Sequence, residues 1–343
     1  MATLRDIAKA AGVSVYTASM VVNGRAREGR ISVRTAEEIA RLAQSMQYRP
    51  NAAARAMASR RTRQIGVLVP NNPGNRFTHP LAYETISGIN EGLQASGYVM
   101  CLARIDDVRQ DLAQQSRVFK EHLLDGMIVL DSMPTEVERR LETLIPHVVW
   151  CDSNVWRDVG CLRRDELQAG HLAGQAAVKS GYDKLVMMTY TPENMVHFSA
   201  RQRYQGVKEQ VEAAGRELSI IAEPIIGDKH TRLRTAKALT PDTVLLCNSV
   251  YQAHTIRSIA EETGRIPGRD FGLICCDDMH QLDRLWPGLA RVSFDRYQMG
   301  LDAAAMLTGS LEDGIEHHAS KLLVVNWIPG STLVDQRTLD AQP

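Results

Sequence analysis

The sequence predicts a small all-α domain at its start, followed by an α/β core of two doubly wound parallel sheets. The charges divide in the same way: residues 1–63 hold 12 Lys or Arg against 4 Asp or Glu, and the remainder holds 28 against 36. From residue 65 onward, short apolar runs alternate with amphipathic helical stretches, which is the pattern of strand–helix–strand units. A basic head on an acidic body is typical of proteins that bind nucleic acid through the head.

Residues 3–23 have the spacing of a helix-turn-helix. Apolar residues recur at helical spacing after Thr3, which predicts a first helix capped by this residue. Gly12 suits the left-handed backbone that ends a helix, and Ser14 can cap a second helix running to about Asn23. An ordinary helical hairpin is the alternative. A helix-turn-helix would place the start of its second helix in the major groove of DNA.

A third helix and a short fourth one are predicted next. Ser32 can cap the third helix, and Pro50 would stop it. The alanine-rich residues 51–58 make only two turns, so alone in water they should be mostly unfolded, and a DNA surface would fold them. We therefore expect a DNA-binding domain at residues 1–50 and a hinge helix with its linker at 51–63. The apolar face of the third helix would contain Ala36, Ile39, Ala40, Ala43 and Met46.

The composition also bears on compartment. The polar N-terminus leads directly into the first predicted helix, unlike a signal peptide, and no apolar run approaches the roughly 20 residues of a membrane span. We expect a cytoplasmic, nucleoid-associated protein with no membrane partner. The cysteines form no CxxC pair and lie mostly in apolar runs, so buried reduced thiols are expected. They are Cys101, Cys151, Cys161, Cys247, Cys275 and Cys276.

Two successive sets of strands and helices are predicted in residues 64–343. Each set predicts a buried parallel sheet with helices on both faces. Further strand-like runs at 291–293 and 322–327 fit neither set. The first set has strands at 65–69, 99–103, 127–130 and 148–151, with helices near 80–96, 109–124 and 135–144. The second set has strands at 185–188, 220–226, 244–247 and 273–276, with helices near 167–180, 200–215 and 250–264.

Polar residues follow the predicted strands. Open parallel sheets bind ligands at the carboxyl ends of their strands, so these residues are candidates for a cleft between the two sheets. Any one of them could equally be a loop cap, and their joint occurrence is the informative feature. They are Asn71, Asn72, Asp131, Asp152, Asn248, Asp277 and Asp278.

An enzyme would need a catalytic set. Asp277 with Asp278 could be an acid–base pair, and His317 with His318 could bind a metal. Adjacent residues at a strand end point in different directions, however, and two histidines without a third ligand make a poor metal site. No nucleophile-elbow or nucleotide-binding motif occurs. The sequence therefore predicts no enzyme, no catalytic residue, no metal and no cofactor.

Six motifs carry a family resemblance. TLRDIAKAAGVS, VVNG, YRPNAAARAMA and IGVLVP lie within the first 70 residues, and CNSVYQAH and ICCDDM lie in the second predicted sheet. With these motifs the chain resembles the lac repressor family of bacterial regulators over its whole length. The resemblance implies a periplasmic-binding-protein-like core of two discontinuous subdomains, 64–162 with 291–323 and 163–290 with 324–340. It also implies a homodimeric repressor that binds a near-palindromic operator in double-stranded DNA.

The resemblance assigns DNA contacts to the head and the hinge. Val15 and Tyr16 would read bases as the first exposed positions of the second helix. Met57 would enter the minor groove, where the family usually has leucine. Phosphate contacts are expected from Ser14, Thr17, Ser19, Asn23 and Tyr48. Further contacts are expected from Thr3, Leu4, Met20, Arg30, Asn51 and Ala54.

An effector site is implied as well. The segment HFSARQRYQG places Arg203 where the arginine of this family reaches a small-molecule effector, commonly a sugar. A planar guanidinium can hold paired hydroxyls or a carboxylate. A surface arginine paired with Glu209 or Glu212 is the alternative. The expected effector residues are Asn71, Phe77, Asp152, Arg203, Asn248 and Asp277.

Several positions depart from the family. Ser249 stands where an aspartate is usual, Lys229 lies near a frequent stacking tryptophan, and Met20 replaces a frequent arginine. The basic segment 25–30 is longer than in the shortest members. These differences leave the effector, its direction of action and the operator sequence open. The end of the chain has no sustained heptads, so a dimer is expected. A periplasmic-type sugar-binding protein would share the core but not the basic head.

Overall fold

A computed structural model of the chain describes residues 2–70, 82–105, 121–132, 135–223, 228–314 and 318–339. The chain divides into two compact units, Met1–Arg63 and Gln64–Pro343. The first unit is helical, and the second contains two six-stranded sheets covered by helices. The predicted fold class is confirmed.

The first unit begins with the predicted helix-turn-helix. Thr3 and Asp6 form a capping box at the start of α1 (Leu4–Ala11), because each side chain accepts a hydrogen bond from the backbone N–H of the other. Gly12 ends this helix with a φ of 64°. The Ser14 hydroxyl accepts a hydrogen bond from the Thr17 N–H and caps α2 (Val15–Val22). A third helix, α3 (Val33–Ser45), follows Ser32 as predicted.

The core of this unit differs from the prediction in two details. Leu42 packs against the buried residues from α1 and α2, whereas Ala40 is exposed. The buried face of α3 runs from Ile39 through Leu42 and Ala43 to Met46, at i, i+3, i+4 and i+7 spacing. The helix also ends at Ser45 and not at Pro50. The residues buried at the centre of the core are Ile7, Ala8, Ala18 and Ile39.

The short fourth helix, α4 (Ala52–Ser59), closes the first unit. The Asn51 side chain caps it by accepting hydrogen bonds of 3.0 and 3.3 Å from the backbone of Ala53 and Ala54. Arg60 ends the helix in the left-handed region, with a φ of 55°. The helix is two turns long, and most of its side chains are exposed.

The two sheets of the second unit share one strand order. The first sheet contains β1 (Gln64–Pro70), β2 (Val99–Ile105), β3 (Gly126–Leu130), β4 (Val148–Cys151), β5 (Cys161–Arg164) and β11 (Lys321–Leu323). The second contains β6 (Lys184–Tyr190), β7 (Leu218–Glu223), β8 (Thr243–Cys247), β9 (Gly272–Cys275), β10 (Ala290–Ser293) and β12 (Asn326–Ile328). The first sheet has the order β11-β5-β4-β3-β1-β2, and the second has the order β12-β10-β9-β8-β6-β7. All strand pairs are parallel except β10 with β12.

Helices cover both faces of each sheet. The helices of the second unit are α5 (Ala82–Ala95), α6 (Thr135–Leu144), α7 (Glu166–Lys179), α8 (Phe198–Ala213), α9 (Lys229–Ala238), α10 (Val250–Glu262), α11 (Leu282–Leu285), α12 (Arg296–Asp313) and α13 (Gln336–Leu339). In the first subdomain, α5 and α12 share one apolar core with the sheet, and α6 packs on the opposite face. In the second, α7 and α8 lie on one face and α9 and α10 on the other.

Glycines let the helices of each pair approach closely. A Cβ on Gly206 of α8 would lie 2.3 Å from the carbonyl oxygen of Leu167 in α7. A Cβ on Gly88 of α5 would lie 2.0 Å from the carbonyl oxygen of Tyr297 in α12. Neither position has room for a side chain, so backbone contact fixes both helix pairs.

The chain passes between the two subdomains three times. It crosses from β5 to α7, from β10 to α12, and from β11 to β12. Strand β10 pairs with β9 of the second sheet, so the second crossing follows Ser293, whereas the expected boundary lies before Arg291. The predicted strand at 322–327 is two short strands in different sheets. The helix expected at 109–124 lies outside the described residues as far as residue 120, and residues 121–124 are not helical.

Two further features of the described residues are the state of the cysteines and the character of the helices. All six cysteines are free, and all except Cys101 are buried. Within the described ranges, no helix combines the length and the apolar character needed to cross a membrane.

Candidate functional site

A cavity of about 430 Å³ lies between the two subdomains of the second unit. On one side it is lined by Val69 of β1 and by Asp131, which follows β3. On the other side it is lined by Tyr190 of β6 and by Asn248, which follows β8. In both sheets the strand order reverses between these two strands, which is where open parallel sheets bind ligands.

Arg203 of α8 lies at the base of this cavity, with only 3% of its surface exposed. Its Nε and Nη2 donate to the two oxygens of Glu166 at 2.5 and 2.8 Å. Its Nη1 donates to the Asn248 carbonyl at 2.7 Å, and Nη2 also donates to Asp277 at 3.1 Å. Arg203 is therefore a buried residue of the cleft, and Glu209 pairs instead with His171.

Asp277 is the point where three arginines meet. Its Oδ1 accepts hydrogen bonds from Arg203 Nη2 at 3.1 Å and from Arg296 Nη2 at 2.7 Å, and Arg164 Nη1 lies 3.6 Å away. All three guanidinium groups also stack on the ring of Phe294, with centroid distances of 4.6 to 5.6 Å. Arg164 and Arg296 stand beside two of the crossings between the subdomains, so this cluster ties the subdomains together.

Asp152 supplies a second carboxylate from the first subdomain. Both of its oxygens accept hydrogen bonds from Arg164, at 2.9 to 3.2 Å. Arg164 Nη1 lies 2.9 Å from Glu166 Oε1, so one arginine joins carboxylates of both subdomains. Asp131 and Asp152 have φ values of 67° and 54°, a conformation that is rare for residues other than glycine. Strained backbone at two strand ends of one cavity is typical of a ligand site.

The arginines keep these carboxylates ionised. Burial alone would raise the pKa of Asp277, but the charges of Arg203, Arg296 and Arg164 outweigh it and hold this pKa well below its usual range. Burial likewise opposes ionisation of Asp152, yet Arg164 and further neighbouring charges lower the pKa of this carboxyl. The cavity therefore presents permanent charges of both signs.

His197 spans the cleft as the cap of α8. Its Nε2 lies 2.9 Å from the Asp152 carbonyl oxygen, which can only accept, so Nε2 carries a proton. Its Nδ1 accepts a hydrogen bond of 3.3 Å from the Ser199 N–H, so Nδ1 carries none. These contacts select the neutral Nε2–H tautomer. Asn154 makes a second link between the subdomains, since its side chain bonds to Val196 and Phe198.

Asn248 is held in one orientation. Its Nδ2 donates to the Ala200 carbonyl at 2.9 Å and to Thr189 Oγ1 at 3.0 Å. Because a carbonyl oxygen only accepts, the amide nitrogen must be on this side, and Oδ1 is left as an acceptor. The order of the strands thus sets both the position and the polarity of this amide.

The structure brings four of the predicted effector residues together around one cavity: Asp152, Arg203, Asn248 and Asp277. Asn71 and Phe77 lie outside the described residues, as does Asn72. Sequence reasoning missed Arg164, Glu166, Arg296 and His197. Strand β5 was not predicted, and Arg164 ends it, so the strand-end pattern would have found this arginine had the four-residue strand been predicted.

The two adjacent aspartates point apart, which bears on the enzyme alternative. Asp277 turns toward Arg203 and Arg296, whereas Asp278 accepts a hydrogen bond of 2.7 Å from Arg291 Nε. They do not form an acid–base pair. His317 lies outside the described residues, and no cluster of three metal-binding side chains occurs in the part of the chain that the structure describes.

A second candidate surface lies on the first unit, at the start of α2. Tyr16 is 70% exposed and Val15 is 45% exposed. Met20, which the resemblance assigns as a DNA contact, is only 7% exposed, so its side chain is buried on the inner side of α2. It points into the protein, and its Cε lies near the loop at Gly29. The Asn23 amide donates to the Ser19 carbonyl and hydroxyl, at 2.9 and 3.1 Å.

The other predicted DNA contacts differ in exposure. Leu4 packs against the helical core, and Tyr48 is half-buried at its edge. Met57 of α4 is 85% exposed. The remaining exposed candidates are Thr3, Ser14, Arg30, Asn51 and Ala54, and Thr17 and Ser19 are half-buried.

Comparison with protein families gives two matches. The model for bacterial regulatory proteins of the lacI family matches residues 3–51, and the model for a periplasmic binding protein-like domain matches residues 175–333. The HTH-type transcriptional repressor PurR of Mannheimia succiniciproducens is 26% identical over 316 residues, which cover 90% of this chain and 91% of that protein. The ribose operon repressor of Bacillus subtilis is also 26% identical, covering 91% and 92%.

Solved structures share the fold. The lac repressor dimer bound to operator and the anti-inducer ONPF gives a TM-score of 0.74 at 18% identity, covering 97% of this chain and 99% of that chain. The complex of the transcriptional regulator CelR with cellobiose gives a TM-score of 0.64 at 20% identity, covering 97% and 100%. Helical head and two-sheet core therefore recur together in known regulators.

Proposed function

Because this chain belongs to the lacI family of bacterial regulatory proteins, we propose that it represses transcription by binding a near-palindromic operator as a homodimer. We further propose that a small polar effector, a sugar or related metabolite, binds the cleft and controls DNA binding. One observation carries the proposal. A helix-turn-helix that exposes Val15 and Tyr16 is followed, in the same chain, by a cleft in which Arg203, Asn248 and Asp277 converge.

The DNA role rests on shape and charge. The start of α2 presents two exposed side chains for base edges in the major groove. The excess of eight positive charges in residues 1–63 would neutralise phosphates and release counterions. A two-fold dimer reads two half-sites, which is why a near-palindrome is expected.

The effector role rests on the polar groups of the cleft. Arg203, Asn248 and Asp277 belong to the second subdomain, and Asp131 and Asp152 belong to the first, so a ligand between them would contact both. Among the structural neighbours, CelR is seen with cellobiose, and a regulator from Enterococcus faecium is seen with ribose. These neighbours support a sugar-like effector for this chain.

Coupling would pass through Asp277. Asp277 Oδ1 accepts a hydrogen bond from Arg296, the first residue of α12, which follows one crossing between the subdomains. The same oxygen lies near Arg164, which precedes another crossing. A ligand that hydrogen-bonds to Asp277 has a different affinity for subdomain arrangements that change these pairs. By linkage, such a ligand shifts the population of the arrangements.

The first experiment is selection of an operator from random double-stranded DNA with the full chain. We expect a near-palindromic site whose affinity falls steeply with salt. The Tyr16→Ala variant should bind this site at least tenfold more weakly while keeping the thermal stability of the wild type. The assignment of base contacts to the start of α2 would be wrong if Tyr16→Ala bound the selected site as tightly as the wild type.

The second experiment screens uncharged and charged metabolites by thermal shift, followed by operator titration with each ligand that stabilises the protein. A ligand present at 100 times its Kd stabilises the folded state by about 2.7 kcal/mol. We expect a stabilising ligand to change operator affinity. A tight cleft ligand without any effect on operator binding would contradict the regulatory role.

A further inference from the structure

We propose that the effector carries no negative charge and is an uncharged, hydroxyl-rich molecule. This inference rests on the proposed effector cleft and names its ligand class. It is carried by the charge balance around the cavity and by the hydrogen-bonding groups that remain free to meet a ligand. Phosphorylated and acidic metabolites are then excluded.

Each of the three arginines that line the described part of the cavity is already paired with carboxylates. Arg203 bonds to Glu166 and Asp277, Arg164 bonds to Asp152 and contacts Glu166, and Arg296 bonds to Asp277. The guanidinium groups are all buried, with side-chain exposures of 3 to 5%. An anion entering the cavity would compete with existing ion pairs for each of them.

The carboxylates that line the cavity match these arginines in number. Asp131, Asp152 and Asp277 line it beside Arg164, Arg203 and Arg296, and the fully buried Glu166 adds a carboxylate behind Arg203. Among the described residues that line the cavity, no positive charge is therefore in excess, and an anion would meet the carboxylates without an unpaired cation to offset their repulsion.

The free hydrogen-bonding groups fit hydroxyls. In the described part of the chain, Asp277 Oδ2 and Asn248 Oδ1 receive no hydrogen bond from protein, although both residues line the cavity. Arg203 uses four of its five N–H groups, which leaves one on Nη1. A hydroxyl can donate to a carboxylate oxygen and accept from a guanidinium N–H, whereas an ionised carboxylate or a fully ionised phosphate group can only accept.

The size of the cavity agrees with such a ligand. A volume of about 430 Å³ falls within the range of roughly 300–1,000 Å³ that is usual for small-molecule sites. The cavity can therefore enclose a sugar-sized polyol while its polar groups satisfy several hydroxyls at once.

The test uses matched pairs of probes on the full chain. D-ribose, D-glucose, D-galactose and cellobiose are each compared with their phosphate ester or aldonic acid by calorimetry, and inorganic phosphate is added as an anion alone. We expect each charged member to bind at least tenfold more weakly than its uncharged parent. Tighter binding of any charged member, or of inorganic phosphate, to the cleft would overturn the proposal.

Charge-neutralising variants supply a readout that does not depend on the natural effector. Asp277→Asn frees two arginines from their shared partner, and Asp131→Asn removes a half-exposed charge while the amide oxygen can still accept the hydrogen bond from the Ser132 N–H. Both should bind inorganic phosphate and the sugar phosphates at least threefold more tightly than the wild type. Asp183→Asn, an exposed change of equal charge outside the cavity, should show no gain.

The absence of a gain in Asp131→Asn, which should fold normally, would overturn the role of the carboxylates. Operator binding in the same preparations separates this inference from the proposed function. A phosphorylated ligand that releases the operator would overturn the proposal that the effector is uncharged, but it would support the regulatory role. Failure of the protein to bind any operator would contradict the regulatory role, and the matched pairs of probes would still test whether the cleft prefers uncharged ligands.

Discussion

Both carboxylate oxygens of Glu166 accept hydrogen bonds from Arg203, at 2.5 and 2.8 Å, and neither side chain is more than 3% exposed. The arginine that the motif predicts for the effector is therefore also half of a buried ion pair. Its guanidinium reaches the cavity already oriented, which lowers the cost of ordering it when a ligand binds. The same pairing makes Arg203 important to the stability of the fold.

We expect Arg203→Ala to lower the free energy of unfolding by about 3 kcal/mol or more, because it leaves Glu166 and Asp277 buried with one partner fewer. Arg201→Ala is the matched control on the same helix. Arg201 is exposed and donates to two backbone carbonyls, so its loss should cost about 1 kcal/mol or less. Urea denaturation measures both, and equal costs would contradict the structural role of Arg203.

The burial of Arg203 also affects how a loss of ligand binding is interpreted. Removing its contact with a ligand should cost about 2 kcal/mol of ligand affinity, in addition to the loss of stability. In the structure, any loss of ligand or operator binding in Arg203→Ala must first be compared with the loss of folded protein. Arg203→Lys, which keeps the charge and loses the fork, is the better probe of ligand contact.

The pH dependence of stability should report Asp277. Its pKa in the folded state lies below the unfolded value of about 3.9, so its contribution is present above that value and is lost as the pH falls through the folded pKa. From about pH 5 downward, the unfolding free energy of the wild type should fall more steeply than that of Asp277→Asn. Urea denaturation at pH 5, 4 and 3 measures the two slopes, and identical slopes would contradict the assignment.

Salt distinguishes this buried group from a surface pair. Lys184 lies 2.7 Å from Asp242 on the surface, and hydrogen bonds from Lys184 and Thr240 lower the pKa of Asp242 to about 2. Salt at about 1 M shortens the screening length in water to roughly 3 Å, which is about the length of this exposed contact, and so weakens it in part, whereas buried pairs are screened much less. The slope of the unfolding free energy against pH should differ between the wild type and each variant. In 1 M NaCl this difference should become smaller for Asp242→Asn, whereas it should persist for Asp277→Asn.

Predictions from the sequence agreed best with the structure where interactions between residues close in the chain determine it. Thr3, Gly12, Ser14 and Ser32 all lie at the helix ends that their capping chemistry predicts. The alternation of strands and helices likewise predicted two parallel sheets, because strands that are buried on both faces by crossover helices are nearly continuous apolar runs.

The misses have physical reasons. Helix α12 has little amphipathic contrast, since it is buried along much of its length and carries Gly300 where it contacts α5. Residues 322–327 look like one strand, but the chain changes sheets within them. The arginine–carboxylate cluster joins Asp152 to Arg296, 144 positions along the chain, through Arg164 and Asp277. No local pattern encodes a contact of that kind.

The apolar start of α2 makes a prediction about base readout. This helix contains no charged residue, Met20 is buried, and Val15 and Tyr16 are the exposed residues at its start, which we propose contact bases. Such side chains recognise the thymine methyl group by apolar contact. Replacing thymine by uracil at one position of each selected half-site should weaken binding by about 1 kcal/mol, from the lost methyl contact. Val15→Ala should abolish this sensitivity, as a double-mutant cycle would show. Equal sensitivity in Val15→Ala would assign the contact elsewhere.

The last prediction concerns Met57, which is 85% exposed on the two-turn helix α4. A flexible apolar side chain at this position can enter the minor groove and unstack a base step. We expect Met57→Lys to weaken binding of the selected operator at least tenfold and Met57→Leu to retain it, with thermal shifts by cleft ligands unchanged in both. A 2-aminopurine at the central step should brighten on binding of the wild type and of Met57→Leu, because unstacking relieves its quenching. Loss of affinity in Met57→Lys, with no brightening in the wild type, would instead place Met57 between two hinge helices. Unchanged operator affinity would remove it from the interface.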